Sequence, residues 1–430
     1  MAHDPISDAV LAMLAGADPE VATILRAERE RQETTIELIA SENHVSPAVM
    51  HTMGTWMTNK YAEGYPGARY YGGCKHHDEI EDLARERAKA MFGCRFANVQ
   101  PHSGAQANTA VFMATMNPGD TFASLVLKDG GHLSHGMSLN FSGRYHKPVH
   151  YPLHYEPGHP EFERINYDAV RAVCLEHKPK VLMCGYSAYP RTIDFARFRA
   201  IADEVGALLV ADVAHIAGLC VGGAHASPFP HAHIVTTTTH KTLRGPRGGL
   251  ICTNDEELAK KIDKALFPGV QGGPLMHVVA SKAVAFGECL TPAFKAYSAQ
   301  VVRNARALGE ALTARGYRLT TGGTDNHLML VDLRTKDANL TGVDAENRLV
   351  EAGLVCNRNG IPSDPRPPKL TSGIRLGTPA VTTRGLAERD MDTIASLIDR
   401  VLTGADVASV RADVRALCAR FPMPGLAPAR

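Results

Sequence analysis

The sequence predicts an α/β fold: a large domain built on a mostly parallel sheet covered by helices, followed by a smaller α+β domain. Three observations carry this. Short apolar, β-branched runs alternate with helical patterns through the middle of the chain, as strands joined by crossover helices do. Those runs are apolar throughout, which suits strands covered by helices on both faces. Beyond about residue 296 the alternation gives way to a long helical pattern, a few short strands and two closing helices.

Taken in order, Asp18-Pro19 is an N-cap followed by proline at the first helical position. The helix it opens is expected to run through Val21, Ile24 and Leu25 to about Gln32. With the apolar stretch Val10–Leu14 it forms an N-terminal arm, residues 1–35, which suits either a packed helix or an arm crossing to a second subunit. The large domain is expected over residues 36–295. Asp78–Phe92 is an amphipathic helix with Ile80, Leu83 and Met91 on one face and Gly93 as its stop. Phe96–Gln100 reads as a strand, and Ser103-Gly104-Ala105 opens the next helix. Phe122–Leu127 is a strand running into Asp129-Gly130-Gly131-His132-Leu133. Helix Tyr167–His177, strand Val181–Cys184, helix Phe195–Val205 and strand Leu208–Ala211 then alternate. Val235–Thr239 and Gly249–Cys252 are the next strands, Asn254 caps a helix Glu256–Leu266, and Pro268–Pro274 is too rich in Gly and Pro for an element. In the smaller domain, residues 296–430, a helix from about Pro292 to Arg315 leads to strand His327–Asp332. Helices Asp344–Ala352, Ala387–Leu402 and Ala405–Arg420 follow.

Composition excludes several classes. With 44% hydrophobic and 21% charged residues, the chain reads as a soluble globular protein, and a formal net charge of +1 gives no electrostatic reason for a nucleic-acid or membrane partner. Nine scattered cysteines, none spaced Cys-x-x-Cys, argue against a disulfide framework or zinc site and for the reducing cytosol. The start lacks the basic and apolar regions of a signal peptide, and no apolar run reaches membrane-spanning length, so a cytoplasmic protein is expected. Although 20 histidines are present, no His-Glu-x-x-His pattern appears, so no metal is expected. Walker-A and dinucleotide fingerprints are also missing from the sequence.

The chemistry gathers where strands end. Val235–Thr239 delivers Lys241 into a turn containing Arg244 and Arg247, where desolvation and neighbouring cations favour a neutral amine able to form a Schiff base. Upstream, Leu208–Ala211 ends in Asp212, with His215 close behind. A carboxylate at one strand end and a lysine after the next is the layout pyridoxal phosphate requires: one keeps the ring nitrogen protonated, the other holds the aldehyde carbon. Ser103-Gly104 at a helix start presents N–H groups and a hydroxyl to an anion, although Ser is also an ordinary N-cap. Lys241, Asp212, His132, Ser103 and Ser187 each follow a predicted strand, so all converge on the sheet edge where such folds bind ligands. Asn59–Gly73 carries four tyrosines among glycines and a proline, which reads as a binding loop.

The block from Asp212-Val213-Ala214-His215 to Thr236-Thr237-Thr238-Thr239-His240-Lys241-Thr242-Leu243-Arg244-Gly245-Pro246-Arg247-Gly248-Gly249 closely resembles serine hydroxymethyltransferase. Ile36–Asn43, the tyrosine loop and Thr371-Ser372-Gly373-Ile374-Arg375 extend the resemblance, which runs from about Ile36 to Pro379. It implies a pyridoxal-phosphate transferase of the aspartate-aminotransferase type (fold type I), acting on serine, glycine and tetrahydrofolate as a homodimer or tetramer with shared sites. Catalytic roles are implied for Lys241, Glu63, His132, Asp212, His215 and Thr238. Ser103, Gly104, Ala105, Ser187 and His240 would join them around the cofactor, with Tyr61, Gly272 and Gly273 reaching the neighbouring subunit's phosphate. Ser41, Tyr71 and Arg375 would hold the amino acid, and Leu127, Gly131, Leu133 and Asn359, beside Glu63, the folate. A rival on the same scaffold is a folate-independent aldolase or transaldolase for α-methylserine or another β-hydroxy amino acid; the residues at the folate positions argue against it. The stretch His154–Asn166 is longer and richer in His and Pro than the resemblance leads one to expect.

Overall fold

Mostly buried strands that run into polar loops organise the larger part of the molecule. The structure is a computed structural model describing residues 5–424. The chain divides into two units, Ala48–Ala299 and residues 5–47 together with 300–424. In the first unit, β1 (Phe96–Asn98), β2 (Thr121–Leu125), β3 (Lys147–Tyr151), β4 (Val181–Cys184), β5 (Leu208–Asp212), β6 (Ile234–Thr238) and β7 (Gly249–Thr253) form one sheet. Its order is β1-β7-β6-β5-β4-β2-β3. Only β7 runs antiparallel to its neighbours. The link from β6 to β7, residues 239–248, is a loop without a crossover helix, which allows an antiparallel pair, whereas parallel neighbours need a crossover connection. Because β7 lies between them, β1 and β6 point the same way. The carboxyl ends of β1, β2, β4, β5 and β6 therefore open on one edge.

All of β4 and β6 is buried, as expected for strands covered on both faces. Helix Gly104–Thr115 contributes Ala107, Val111 and Phe112 to a core with Phe122, Val181, Val210, Ile234 and Ile251. Each large apolar side chain so buried stabilises by about 1.5–3 kcal/mol. The buried threonines of β6 have their hydroxyls satisfied internally: Thr236 donates to Asn108 Oδ1 at 2.7 Å, and Thr237 to the Thr238 carbonyl at 2.8 Å.

In the second unit, β8 (Arg318–Leu319), β9 (Leu328–Asp332), β10 (Asn357–Asn359) and β11 (Gly373–Gly377) form an antiparallel sheet in the order β8-β9-β11-β10. Leu308, Leu312, Met329, Ile374, Ile394 and Ile398 share its core. Ile36–Glu37, assigned above to the large domain, instead pairs in this unit with Leu354–Val355. The N-terminal helices Pro5–Ala17 and Pro19–Thr34 also belong here, the second capped by Asp18, whose carboxylate accepts the Val21 N–H at 3.1 Å. Arg384 secures its far end. The guanidinium donates to the carbonyls of Thr35 at 2.8 Å, Glu33 at 3.2 Å and Gln32 at 3.3 Å, and to Phe421 at 2.7 Å and Cys418 at 3.1 Å beside the helix Val407–Arg420. One cation thus satisfies the carbonyl ends of two helices.

Some boundaries differ from the sequence reading. Asp255, not Asn254, caps the helix Glu256–Lys264: Asp255 Oδ1 accepts the Leu258 N–H at 2.9 Å, while Asn254 Oδ1 accepts the Arg95 N–H at 2.9 Å. The segment around Pro268 begins as a wide π turn, Ala265–Val270. β2 stops at Leu125 because the N–H groups of Asp129 and Gly131 both turn back onto the Val126 carbonyl at 3.1 Å. The His154–Asn166 stretch closes on itself through the pair His154–Arg164 and a stack of His154 on His159, ring centroids 4.2 Å apart. Among the described residues, no helix is long and apolar enough to cross a membrane.

Gly185, just after β4, has φ +97°, and a Cβ there would stand 1.8 Å from the Asp212 carbonyl oxygen. Gly185→Ala is expected to destabilise the protein by about 3 kcal/mol or more, through backbone strain and overpacking together. Urea unfolding checks this; a loss below about 1 kcal/mol, the ordinary range for tolerated substitutions, would contradict the packing described.

Candidate active site

Each strand of the open edge delivers one chemical group. β5 ends on Asp212, only 8% exposed. Its Oδ2 accepts from Asn108 Nδ2 at 2.8 Å and from His135 Nε2 at 3.0 Å, and its Oδ1 accepts the Ala214 N–H at 3.1 Å. His135 Nδ1 faces the His132 N–H at 3.3 Å, which assigns the ring proton to Nε2 and makes His135 a donor to Asp212. Burial pushes the Asp212 carboxyl up. The hydrogen bond and electrostatic pull of His135, with His132 and Asn108, outweigh burial and hold the group well below the usual carboxylate range.

His132 follows the turn after β2. Its Nδ1 accepts the Ser134 N–H at 3.2 Å and lies 2.7 Å from Ser134 Oγ. Burial pulls its pKa down to about 4; Asp212 opposes the shift, while His135 and Lys241 add to it. The ring is a neutral imidazole at pH 7. Beyond β1, Ser103 caps helix Gly104–Thr115 with its Oγ accepting the Gln106 N–H at 3.1 Å, and the N–H groups of the first turn have no partner within the helix. Lys241 lies three residues past the end of β6, buried, in a turn closed by Gly245 N–H to the Thr239 carbonyl at 2.7 Å. Ser187 is tied by its N–H to the Gly130 carbonyl at 2.8 Å.

These groups meet. Ser103, Gly104, Ala105, His132, Ser187, Asp212, His215, Thr238, His240 and Lys241 line one cavity of about 220 Å³, with His135, Tyr186 and Ala214. Arg244, expected to press on Lys241, instead stands over the Tyr297 ring at 4.8 Å and reaches Glu288 at 4.0 Å. Asn108 and His135 were not singled out in the sequence. Their signals were a lone polar residue on the apolar face of a helix and the i, i+3 spacing His132–His135. The ligand atoms of His132, His135 and Asp212 lie within 4.8 Å of one another, but the His135 and Asp212 atoms are engaged with each other.

Other expected site residues lie elsewhere. Tyr61, Glu63, Tyr71, Gly272 and Gly273 are not among those lining the cavity; they gather in the same unit. A Cβ on Gly272 would stand 3.0 Å from Glu63 Oε1, and one on Gly273 2.9 Å from the Tyr61 ring. The Tyr61 and Tyr71 rings are 5.1 Å apart and are 56% and 45% exposed, an unusual amount of open aromatic surface. Leu127 and Leu133, on either side of His132, are also exposed, while Gly131 packs so tightly that a Cβ would stand 2.2 Å from the Leu125 carbonyl. In the second unit, Arg375 on β11 donates from Nε to Asn357 Oδ1 at 3.2 Å, on β10 beside it. Burial pulls its pKa down to about 10, with Glu42 opposing, so it is a cation at neutral pH. Ser41 and Asn359 are half-buried in that unit.

A family profile described as serine hydroxymethyltransferase matches residues 14–398. The chain belongs to the serine hydroxymethyltransferase family. It is 57% identical to a serine hydroxymethyltransferase of Methylobacterium sp. (strain 4-46) over 433 aligned positions, 98% of each chain. The identity is also 57% with a serine hydroxymethyltransferase of Methylorubrum extorquens (strain PA1), over 96% of each chain. Membership of the serine hydroxymethyltransferase family implies the fold-type I pyridoxal-phosphate scaffold, and the mostly parallel seven-stranded sheet agrees with it.

Burial holds His44, His132 and His240 neutral, with pKa values of about 4, 4 and 3. The unfolded chain takes up protons at these histidines near pH 6.5 (about the free value), so the folded state loses stability as pH falls from there toward about 4. The melting temperature of the apo protein should decline through that window, and His132→Asn should make the decline shallower. A slope left unchanged by His132→Asn would contradict the burial of that ring.

Proposed function

We propose that this chain reversibly transfers the hydroxymethyl group of serine to tetrahydrofolate, giving glycine and 5,10-methylenetetrahydrofolate, with pyridoxal phosphate as its cofactor. The observation that carries the reading is the meeting of Lys241 with an ionised, buried Asp212 in one cavity. The name shared by the relatives supports this reading over the folate-independent rival.

The donor set fits the cofactor. A carboxylate offers about four acceptor positions, and three are taken at Asp212, which leaves one for a ring N–H from the cavity. When bound, pyridoxal phosphate supplies a ring that accepts the electron pair released at the amino acid's α-carbon. Asp212 would hold the proton at the ring nitrogen. His132, neutral and fixed by Ser134, would offer its flat face to the ring. Ser103 with the N–H groups of Gly104 and Ala105 would bind the phosphate, helped by the positive end of a 12-residue helix. Ser187, His215, Thr238 and His240 would complete the walls, and Lys241 would supply the amine for the aldehyde carbon.

Arg375 would take the substrate carboxylate in its planar fork, with Ser41 and Tyr71 as further contacts. Leu127, Gly131, Leu133 and Asn359 would receive the folate, and Glu63 would move a proton beside it. The exposed Tyr61 ring, close beside Gly273 and near Gly272, supports a homodimer in which each chain completes its partner's phosphate site. Nine free cysteines, all buried, support the cytosol as the compartment.

Serine cleavage by the purified protein, with and without tetrahydrofolate, tests the reading. Folate should accelerate it strongly. Glu63→Gln should remove that acceleration by about 100-fold or more, the scale of a lost general acid or base. Serine binding should survive, because Arg375 and Lys241 supply it. Wild-type protein that shows no folate stimulation would defeat the folate assignment.

A further inference from the structure

Lys282 lies on helix Met276–Cys289 and is 1% exposed, yet it does not line the cavity. Its Nζ donates to the carbonyls of Val99 at 2.6 Å, Gly249 at 2.8 Å and Pro101 at 3.0 Å. Three acceptors use all three N–H bonds of an ammonium. Two of the carbonyls belong to the segment between β1 and Ser103, and the third begins β7, directly after the turn that holds Lys241.

That junction has little slack. The Gly249 N–H donates to the Pro101 carbonyl at 2.9 Å. A Cβ on Gly249 would stand 2.4 Å from the Ser103 carbonyl, and one on Gly248 would stand 2.4 Å from Lys282 Cε. The lysine therefore fills the space that Gly248 leaves open, while Gly249 leaves room for the Ser103 carbonyl and the Pro101 ring. Burial pulls its pKa down to about 7, while the buried Glu81 pulls the other way. The three carbonyl oxygens also favour the cation.

We propose that Lys282 is a positioning residue that fixes the phosphate-binding turn Ser103–Ala105 against the Gly248-Gly249 segment before any cofactor arrives. The inference rests on the pyridoxal-phosphate reading above. Its chemistry makes a specific demand: loss of the ammonium disturbs the phosphate cradle, whereas Asp212 and His132, which meet the ring, stand on other segments, and Lys241 sits eight residues before Gly249 in a turn closed on itself by the Gly245 N–H to the Thr239 carbonyl at 2.7 Å. The effect must therefore depend on the phosphate.

The test compares pyridoxal phosphate with pyridoxal, which lacks the phosphate, by titrating apo wild type and apo Lys282→Met on the acid side of pH 7 and following absorbance. Lys282→Met should lose about tenfold or more in affinity for pyridoxal phosphate, the scale of leaving buried acceptors unpaired, and about twofold or less for pyridoxal. Equal losses for both ligands, or no loss, would overturn the proposal and leave the cofactor reading standing. Wild-type protein that binds neither ligand would defeat the cofactor reading, and this inference with it. A second measurement needs no variant: in apo wild-type protein, hydrogen exchange at the Gly249 amide should already be slow. Exchange that is fast and slows only on adding pyridoxal phosphate would show that the cofactor orders the junction, and would overturn the proposal.

Discussion

The site depends on one buried charge: the carboxylate of Asp212 at the end of β5. Taking an ion out of water costs several kcal/mol unless donors replace the water. Asn108, His135 and the Ala214 N–H supply them from three different segments. The supports are themselves fixed: Asn108 by Thr236 of the neighbouring strand and by Ser134, and His135 by the His132 N–H. The carboxylate, the imidazole next to it and the helix that opens at Ser103 thus form one network. Moving any of them leaves a buried polar group unpaired, which is expensive.

The sheet makes that network possible. Helices on both faces leave only the strand ends open, and the antiparallel β7 lets β1 point the same way as β6. The helix start at Ser103, proposed to bind phosphate, and the lysine turn, far apart in sequence, therefore meet at one edge. In the second unit Arg375, proposed to take a substrate carboxylate, lies on a β-strand, a rigid element, with its side chain steadied by Asn357 on the adjacent strand.

Much of this was legible because the signals are local. Asp212 and Lys241 end apolar runs, and Ser103 precedes a helical pattern, so each can be placed from a few neighbours. What escaped depends on contacts between distant segments. Asn108 looks like a stray polar residue in an alanine-rich helix until Asp212 is seen opposite it. Lys282 looks like a surface lysine in a mostly apolar helix. Arg384 gives no hint that it caps two helices. Proximity in sequence also misled: Arg244 is three residues from Lys241, but the turn there, with Arg244 at φ +57°, directs its side chain toward Tyr297 and Glu288. Asn254 and Asp255 are both good caps, and the choice fell to Asp255 because Asn254 is engaged by the Arg95 N–H.

The central claim is that Asp212 remains ionised and holds a proton on the ring nitrogen of the cofactor. Nitrogen NMR of protein loaded with pyridoxal phosphate labelled with ¹⁵N in the ring measures this directly. The shift of a protonated pyridine nitrogen, unchanged across the neutral pH range, is expected. A shift characteristic of an unprotonated ring nitrogen at neutral pH would contradict it.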